Sequence, residues 1–400
     1  MSVWDSIIGQ RPVTDRLRAI STGDAAALAQ SWLICGPAGA GRAAVARAFA
    51  AALESPDHGL SDEPTAVTRQ VLAGTHPDVR TVTTDKVTID IDTVRGLIAD
   101  AERMPSTAPW RIIIIEDVDR MLERTTNVLL KEIEEPSPHT IWLLCAPSAQ
   151  DVLPTIRSRT RVVSLGVPAD SEVARWLETS AELRDAEGRV VTDASGAPAH
   201  VGHDLAVRIA RLAEGNLDVA RLYAEHSDTL DARDELVVGT LALRRASQAV
   251  VLADSLMDTA KAQATAEVEE AVAGERRAFR ELNGLGEADR VPPALRTEWN
   301  RIGKKDDMKR QATRRQRDVL DRGLNTVASV YRDIAVLQND AEGAVGLVNL
   351  ENRHAIADRA AELPRGKVLE ALDEIEVARR RLAGNGNAQL VLEALFCALL

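Results

Sequence analysis

Cysteine is scarce in this chain of 400 residues, occurring only at positions 35, 145 and 397. So few thiols exclude a disulfide framework. Cys35 and Cys145 each end an apolar run and read as buried thiols. No uncharged apolar run reaches the ~18 residues of a membrane span. The opening Met1-Ser2-Val3-Trp4-Asp5 has neither a charged leader nor an apolar signal core. A cytoplasmic protein without a membrane partner is expected. A basic surplus is missing as well: 49 Lys and Arg stand against 61 Asp and Glu, a formal net charge of −12. A surface this acidic argues against nucleic-acid binding over the whole molecule, so any DNA contact requires a local basic patch.

A further absence lies in a glycine-rich turn. Ser31-Trp32-Leu33-Ile34-Cys35 reads as a short buried strand, Gly36-Pro37-Ala38-Gly39-Ala40-Gly41 as a turn, and the alanine-rich stretch after it as a helix. This is the layout of a phosphate-binding P-loop, G-x-x-x-x-G-K-[ST]. Gly36 and Gly41 hold the spacing, but Arg42 stands where lysine belongs and Ala43 where serine or threonine belongs. Backbone N–H groups at such a turn can still face an anion. Alanine has no hydroxyl to ligate Mg²⁺, and a planar guanidinium is not a compact ammonium. A vestigial P-loop is expected, against an unusual working one or a plain glycine turn.

The rest of the first 166 residues alternates strands and helices. Val13, Leu17 and Ile20 share one face of an early helix, and Val45, Phe49 and Leu53 face inward from the helix after the glycine turn. Residues 54–76 read as polar and irregular. Strands are expected at Val79–Val82 and Val87–Ile89, then a helix carrying Ile91, Val94, Leu97, Ile98, Ala101 and Met104 that stops before Pro105. Four isoleucines, Ile112 to Ile115, fit a strand buried on both faces of a parallel sheet. They run into Glu116-Asp117-Val118-Asp119, where a P-loop enzyme holds its metal and polarises water, unless these acids merely cap the next helix. That helix runs to Glu134-Glu135-Pro136, and strands follow at Thr140–Cys145 and Arg161–Ser164. Such alternation means a three-layer α/β domain with a parallel sheet.

Beyond Pro168 strand signals vanish. A helix is expected over about residues 170–183, a surface loop over 184–202, and a helix pair broken at Gly215-Asn216. From Ser227 the chain reads as helical to its end, with Leu320, Leu324, Val327, Tyr331 and Ile334 in one stripe. The last helix, Gln389–Leu400, is apolar nearly all round and is expected to be buried among neighbours. Three parts follow: an α/β module at 1–166, a small helical lid at 167–228 and an all-helical domain at 229–400.

Taken together, Ile8-Gly9-Gln10, the glycine turn, Ile115-Glu116-Asp117-Val118-Asp119, the run from Asn127 to Pro136, and Ile156-Arg157-Ser158-Arg159 resemble bacterial clamp-loader subunits of the delta-prime type from DNA polymerase III. The resemblance is strong over residues 1–166. Farther on, Tyr331-Arg332-Asp333 and Asn387-Ala388-Gln389-Leu390 resemble actinobacterial members more faintly. It implies an AAA+ module, a lid and a helical collar in a five-subunit ring that opens the sliding clamp and loads it on primed DNA. It implies partnership with gamma/tau-type ATPase subunits and delta. It also implies a stator that does not hydrolyse ATP but lends an arginine finger to its neighbour. Arg159, in the Ser-Arg motif, is the candidate finger; the alternative is that it simply pairs with a carboxylate. The vestigial nucleotide site would comprise Gly36, Gly39, Gly41, Arg42 and Ala43, with Glu116 and Asp117 as its acidic strand end. Asp117 replaces a longer glutamate, and Asp218 stands where active subunits place a sensor arginine.

Two departures from the family pattern stand out. Many relatives carry a four-cysteine zinc module between the P-loop helix and the next strand, whereas residues 54–76 hold no cysteine. His58 and His76 cannot complete a four-ligand site of the usual type, so neither zinc nor any other metal is expected. Thr160 replaces the cysteine that usually ends the Ser-Arg motif. No cofactor is expected, although whether the loop still holds a nucleotide stays open. Alternatives are an active AAA+ motor of a clamp loader or branch-migration helicase, an ATP-sensing scaffold, and a helical DNA-binding adaptor. The adaptor draws on the segment 301–317, where eight basic residues face Asp306 and Asp307; a solvated helical face is the simpler account of it.

Overall fold

The computed structural model describes residues 2–23, 28–83, 88–183, 189–193, 195–286, 289–384 and 386–400. The chain folds as two compact units, one of residues 1–181 and 201–221, the other of 182–200 and 222–400. No described helix is long and apolar enough to cross a membrane.

The first unit is built on a five-stranded sheet. Its strands are β1 (Ser31–Cys35), β2 (Val79–Val82), β3 (Arg111–Ile115), β4 (Thr140–Ala146) and β5 (Arg161–Ser164). They lie in the order β2-β3-β4-β1-β5, and every pairing is parallel. Its helices are α1 (Arg11–Ser21), α2 (Arg42–Glu54), α3 (Ala66–Leu72), α4 (Ile91–Ala101), α5 (Glu123–Glu134), α6 (Pro154–Arg157), α7 (Asp170–Thr179) and α8 (His203–Ala213). Helix α9 (Leu217–Glu225) begins in this unit.

Strand side chains alternate between two cores. Trp32, Ile34, Ile112, Ile114, Ile141 and Leu143 join α1 and α2 on one face. Leu33, Cys35, Ile113, Ile115, Trp142 and Leu144 join α4, α5 and α6 on the other. A sheet covered on both sides needs apolar residues at every position, which accounts for the unbroken isoleucine run. Cys35 and Cys145 are buried free thiols. Burial pushes the Cys145 thiol up to about 12.

Local differences from the sequence reading have simple causes. The stretch 54–76 is not wholly irregular, because α3 forms there, with the Thr65 hydroxyl accepting from the Thr68 N–H. Seven residues with two buried positions leave too short a periodicity to read. Met104 lies past the end of α4 and is 69% exposed. Val87 lies outside the described residues, while Ile89 makes an isolated bridge to Met121 rather than a strand. Helix α7 stops at Thr179, short of 183. The loop expected over 184–202 lies partly outside the described residues; its described part folds back with a bridge between Thr192 and Pro198.

The second unit is helical: α10 (Ser227–Leu241), α11 (Ala246–Leu282), α12 (Arg296–Trp299), α13 (Lys305–Gln338), α14 (Glu342–Val345), α15 (Arg353–Glu362), α16 (Arg365–Ala383) and α17 (Ala388–Ala398). The predicted stripe of Leu320, Leu324, Val327, Tyr331 and Ile334 lies in its core. So do Val391, Leu392, Leu395 and Phe396 of α17, but Leu390 on the same helix is 62% exposed. The last helix is therefore buried on one side only. The helical character expected from Ser227 on is borne out; the helices are separated by connections, and the described residues of 283–304 form turns and two single-turn helices. Asp333 is fully buried and accepts from the backbone N–H groups of Val348 and Asn349, at 3.0 and 2.7 Å, and from Arg332 at 2.7 Å. A carboxylate so placed pins the 346–349 turn to α13.

Two buried acids near the start of β2 behave in opposite ways. Burial acts to raise Asp78, but four hydrogen bonds from the backbone and hydroxyls of Ser106 and Thr107, 2.7–2.9 Å long, win and hold its carboxyl down at about 2. Glu54 accepts only one long bond, 3.3 Å from the Trp110 N–H, and its Oε1 has no partner. Burial pushes this carboxyl up to about 8. An acid with a raised folded pKa holds an extra proton in the folded state, so its contribution to stability falls as pH rises from about 4.5 through about 8. Glu54→Gln removes the ionisation. Thermal melts should show the variant gaining on the parent by on the order of 1–3 kcal/mol between pH 5 and pH 8. Parallel pH profiles for the two proteins would refute the assignment.

Candidate nucleotide and inter-subunit site

The glycine turn leaves the C-terminal end of β1 and opens α2. Gly39 and Gly41 take φ of +73° and +85°, a region that L side chains rarely enter. Space forbids a side chain at Gly39 too, because an added Cβ would lie 1.9 Å from the Asn216 Oδ1. The Leu217 N–H donates to the Gly39 carbonyl at 3.0 Å, so the turn before α9 rests directly on the loop. The Asn216 side chain also accepts from the N–H groups of Asp218 and Val219, both at 3.1 Å, and so caps α9. Gly36 is packed from the other side by the Leu165 side chain.

The motif residues before and after the domain hold the same strap. The Gln10 amide donates to the Gly166 carbonyl at 2.8 Å and accepts the Gly166 N–H at 3.0 Å. Gly9 and Gly215, both at positive φ, press on Pro168 and Val167. Residues 165–168 are thus clasped between the Ile8-Gly9-Gln10 segment, the glycine turn and the Gly215-Asn216 turn.

Arg42 does not extend outward from this loop. Its Nη1 donates back to the Gly36 carbonyl at 2.5 Å, and its Nη2 lies 3.6 Å from the Asp117 Oδ1. The side chain is 16% exposed. A guanidinium thus bridges the first residue of the glycine turn and the acid after β3, across the end of the intervening β4. Ala43 follows at the second position of α2, and its side chain supplies no oxygen.

The two acids are each engaged. Glu116 pairs with Arg47 at 2.8 Å; burial raises its carboxyl, Arg47 opposes this and Asp117 adds to it. Asp117 sits at φ +57° and also meets Arg120 at 3.6 Å. A non-glycine residue in this region is a local strain, of the kind that collects at functional sites. Asp119 has a buried oxygen without a partner, and burial raises its carboxyl. Neither Glu116 nor Asp117 caps the next helix with its side chain: Asp117 precedes the short turn Val118–Arg120 without a side-chain bond, and the α5 N-cap is Leu122. Glycine turn, Arg42, Glu116 and Asp117 are therefore brought together. Arg47 and Asn216 complete the group, and sequence reasoning did not place them there. Asn216 had a signal in the Gly215-Asn216 break, whereas Arg47 is one of many exposed helical arginines by pattern.

Arg159 stands apart from this group, after α6. Its Nε pairs with Glu134, and its Nη1 donates to the Thr155 carbonyl at 2.9 Å. The side chain is 39% exposed. Its neighbours are committed elsewhere: Arg157 donates to the Ala149 carbonyl, and Arg161 lies over the Trp32 ring at 5.1 Å.

Residues 10–168, which hold most of this geometry, match the family described as DNA polymerase III, delta subunit. The DNA polymerase III subunit delta' of Pseudomonas aeruginosa is 30% identical over 153 residues, which span 37% of this chain and 47% of that protein. The delta' subunit of Escherichia coli is 30% identical over 107 residues, spanning 26% of this chain and 32% of its own length. The gamma/tau subunit of Mycobacterium tuberculosis is 30% identical over 196 residues, 47% of this chain and 32% of the relative. The matched stretches thus span less than half of each relative. A gamma subunit-related protein of Thermotoga maritima aligns over 97% of this chain and 98% of its own, with a TM-score of 0.40 and 15% identity.

The geometry predicts that Arg42→Lys with Ala43→Thr will not create an ATPase. The new lysine and hydroxyl would still face a Glu116 held by Arg47, a short Asp117 held by Arg120, and Asn216 seated on Gly39. Phosphate release by the purified double variant should stay at background. Turnover in the range of a working P-loop enzyme would show that only those two residues were missing.

Proposed function

We propose that this chain, whose residues 10–168 match the DNA polymerase III delta-subunit family, is a delta-prime-like clamp-loader subunit that holds its place in the ring without hydrolysing ATP. The observation that carries the reading is Arg42, which spans Gly36 and Asp117 where a nucleotide-binding loop needs a free lysine and a hydroxyl. In this reading residues 1–166 serve as the AAA+ module, 167–228 as the lid and 229–400 as the collar. Its partners are a gamma/tau-type ATPase and a delta subunit, and through the assembled ring the sliding clamp and primed DNA. No nucleotide and no zinc is needed for this role.

A subunit that does not turn over ATP can still act on a neighbour's site. Arg159 is suited to that task. A guanidinium is permanently charged and matches phosphate oxygens in a planar fork. Arg159 is half-exposed, and it is held to Glu134, Thr155 and Ser158 by contacts through its Nε and Nη1 that leave its Nη2 without a partner among the described residues. Glu134 orients the side chain at the surface and would exchange for phosphate oxygens when a neighbouring ATP site docks. A finger supplied in trans can contribute roughly 10³–10⁵ in rate at the site it serves. Arg159→Ala should leave folding and assembly intact and lower the clamp- and DNA-stimulated ATPase and the loading rate of the reconstituted complex. The loss should be partial, because one ATP site is affected. Arg157→Ala serves as the control. A fully normal ATPase and loading rate in an assembled Arg159→Ala complex would remove the finger role and leave a purely structural subunit.

A further inference from the structure

The second unit carries a feature that the clamp-loader reading leaves unused. Its core takes only the first part of α11, Ala249 to Ala260, and only the later part of α13, from Val319 on. The remaining halves run antiparallel beyond the core as a two-helix projection, held together by a narrow seam of Ala264, Val268 and Val272. Glu267 ties the two helices with ion pairs to Arg315 and Arg322. At 1.5 Å per residue the exposed half of α11 reaches roughly 30 Å out. Nothing in its own packing requires this length.

The tip of the projection reverses the charge of the chain. Residues 276–317 hold thirteen Lys and Arg against six Asp and Glu, in a protein of net charge −12. The tip is also built rather than frayed. Trp299 of α12 packs on Phe279 of α11, with ring centroids 5.7 Å apart, and the Arg276 and Arg280 guanidiniums lie 5.5 and 4.9 Å from the indole centroid. Arg280 is further fixed by the carbonyls of Gly286 and Asp289. Gly303, at φ +72°, presses the turn before α13 against Val272 and sets Lys304 and Lys305 at its rim.

Between these elements lies an open cleft of about 490 Å³. Arg276, Arg277, Arg280, Trp299 and Met308 line it, and Glu269 is the one acid in its wall. Arg277, Arg301, Lys304, Lys305 and Lys309 are exposed, and none of them pairs with a carboxylate among the described residues. Leu282, at the end of α11, is 86% exposed beside them.

We propose that this tip is a binding site for a single strand of nucleic acid. Free cations along two helical edges suit a run of phosphates, whose neutralisation releases counterions and drives binding. The indole and the two planar guanidiniums beside it are the kinds of flat group on which bases stack. A peptide of acidic side chains alone has the charge but no ring to stack on those planes. The site needs no other subunit and does not depend on the P-loop or on Arg159.

Fluorescence anisotropy of a labelled oligothymidylate with the full chain tests this directly. Binding should be seen at low salt and weaken steeply as salt rises. The combined variant Arg277→Gln, Lys304→Gln, Lys305→Gln touches only exposed, unpaired cations and should fold normally by circular dichroism. Its affinity should fall at least tenfold, and its log–log salt slope should shrink by about 2, at roughly 0.7 for each phosphate left without its cation. Polyglutamate of matched charge should compete poorly. Three results would overturn the proposal: no binding at low salt, equal binding by the triple variant, or displacement by polyglutamate as effective as by oligothymidylate. The last would assign the tip to an acidic protein partner instead. Because the assay uses the chain alone, its failure leaves the Arg159 experiment untouched, and the converse holds.

Discussion

One guanidinium organises the candidate site. Arg42 reaches back to the Gly36 carbonyl at the start of the glycine turn and across to Asp117 after β3. Lysine could carry the charge but not the fork, which lets one side chain address a carbonyl and a carboxylate together. The contact joins two loops separated in the sheet by β4, both at the C-terminal ends of parallel strands, where α/β folds place their ligands. In a catalytic P-loop that position is kept open for phosphate and metal. Here the protein's own cation spans it. The neighbouring pairs Arg47–Glu116 and Arg120–Asp117 divide the remaining acidic charge among fixed partners.

The same region keeps the backbone geometry of a phosphate-binding turn without that motif's lysine and hydroxyl. The glycines keep their positive φ, and Gly39 is still too close to Asn216 to tolerate a side chain. Gln10 still reads both backbone groups of Gly166. These features serve packing, because the 165–168 strap must be clasped whether or not a phosphate sits in the loop. Packing alone can thus maintain such a turn when neighbouring elements lean on it. That also explains why replacing only Arg42 and Ala43 is not sufficient for turnover in this account.

Much of this was legible in the residues. The isoleucine run, the buried central strands β1 and β4 and the Leu320–Ile334 stripe carry strong patterns, and burial on two faces or one leaves distinct signatures. The glycine turn between β1 and α2 was legible because its spacing is strict. What escaped had weak local signal. Helix α3 is two turns long. Ile89 pairs once and no more, and the exposed flank of α17 has apolar residues, Leu390 among them, that the intramolecular packing does not use. The partnerships of Arg47 with Glu116 and Arg159 with Glu134 are long-range choices among many charges, and spacing does not select them. The charge of the 301–317 segment was visible, but the Trp299 platform opposite Arg276 and Arg280 exists only once α11 and α12 meet.

Arg42, on this account, occupies the loop in place of a nucleotide. Isothermal titration of the purified chain with Mg·ATP addresses that claim most directly, because it asks for binding without asking for turnover. The account predicts no saturable heat up to millimolar ATP, and unchanged thermal stability in its presence, since a ligand that binds the folded state must raise stability. Saturable binding at micromolar ATP would contradict it: the guanidinium would then be a phosphate ligand in a working nucleotide site, and the chain a sensor rather than a fixed member of the ring.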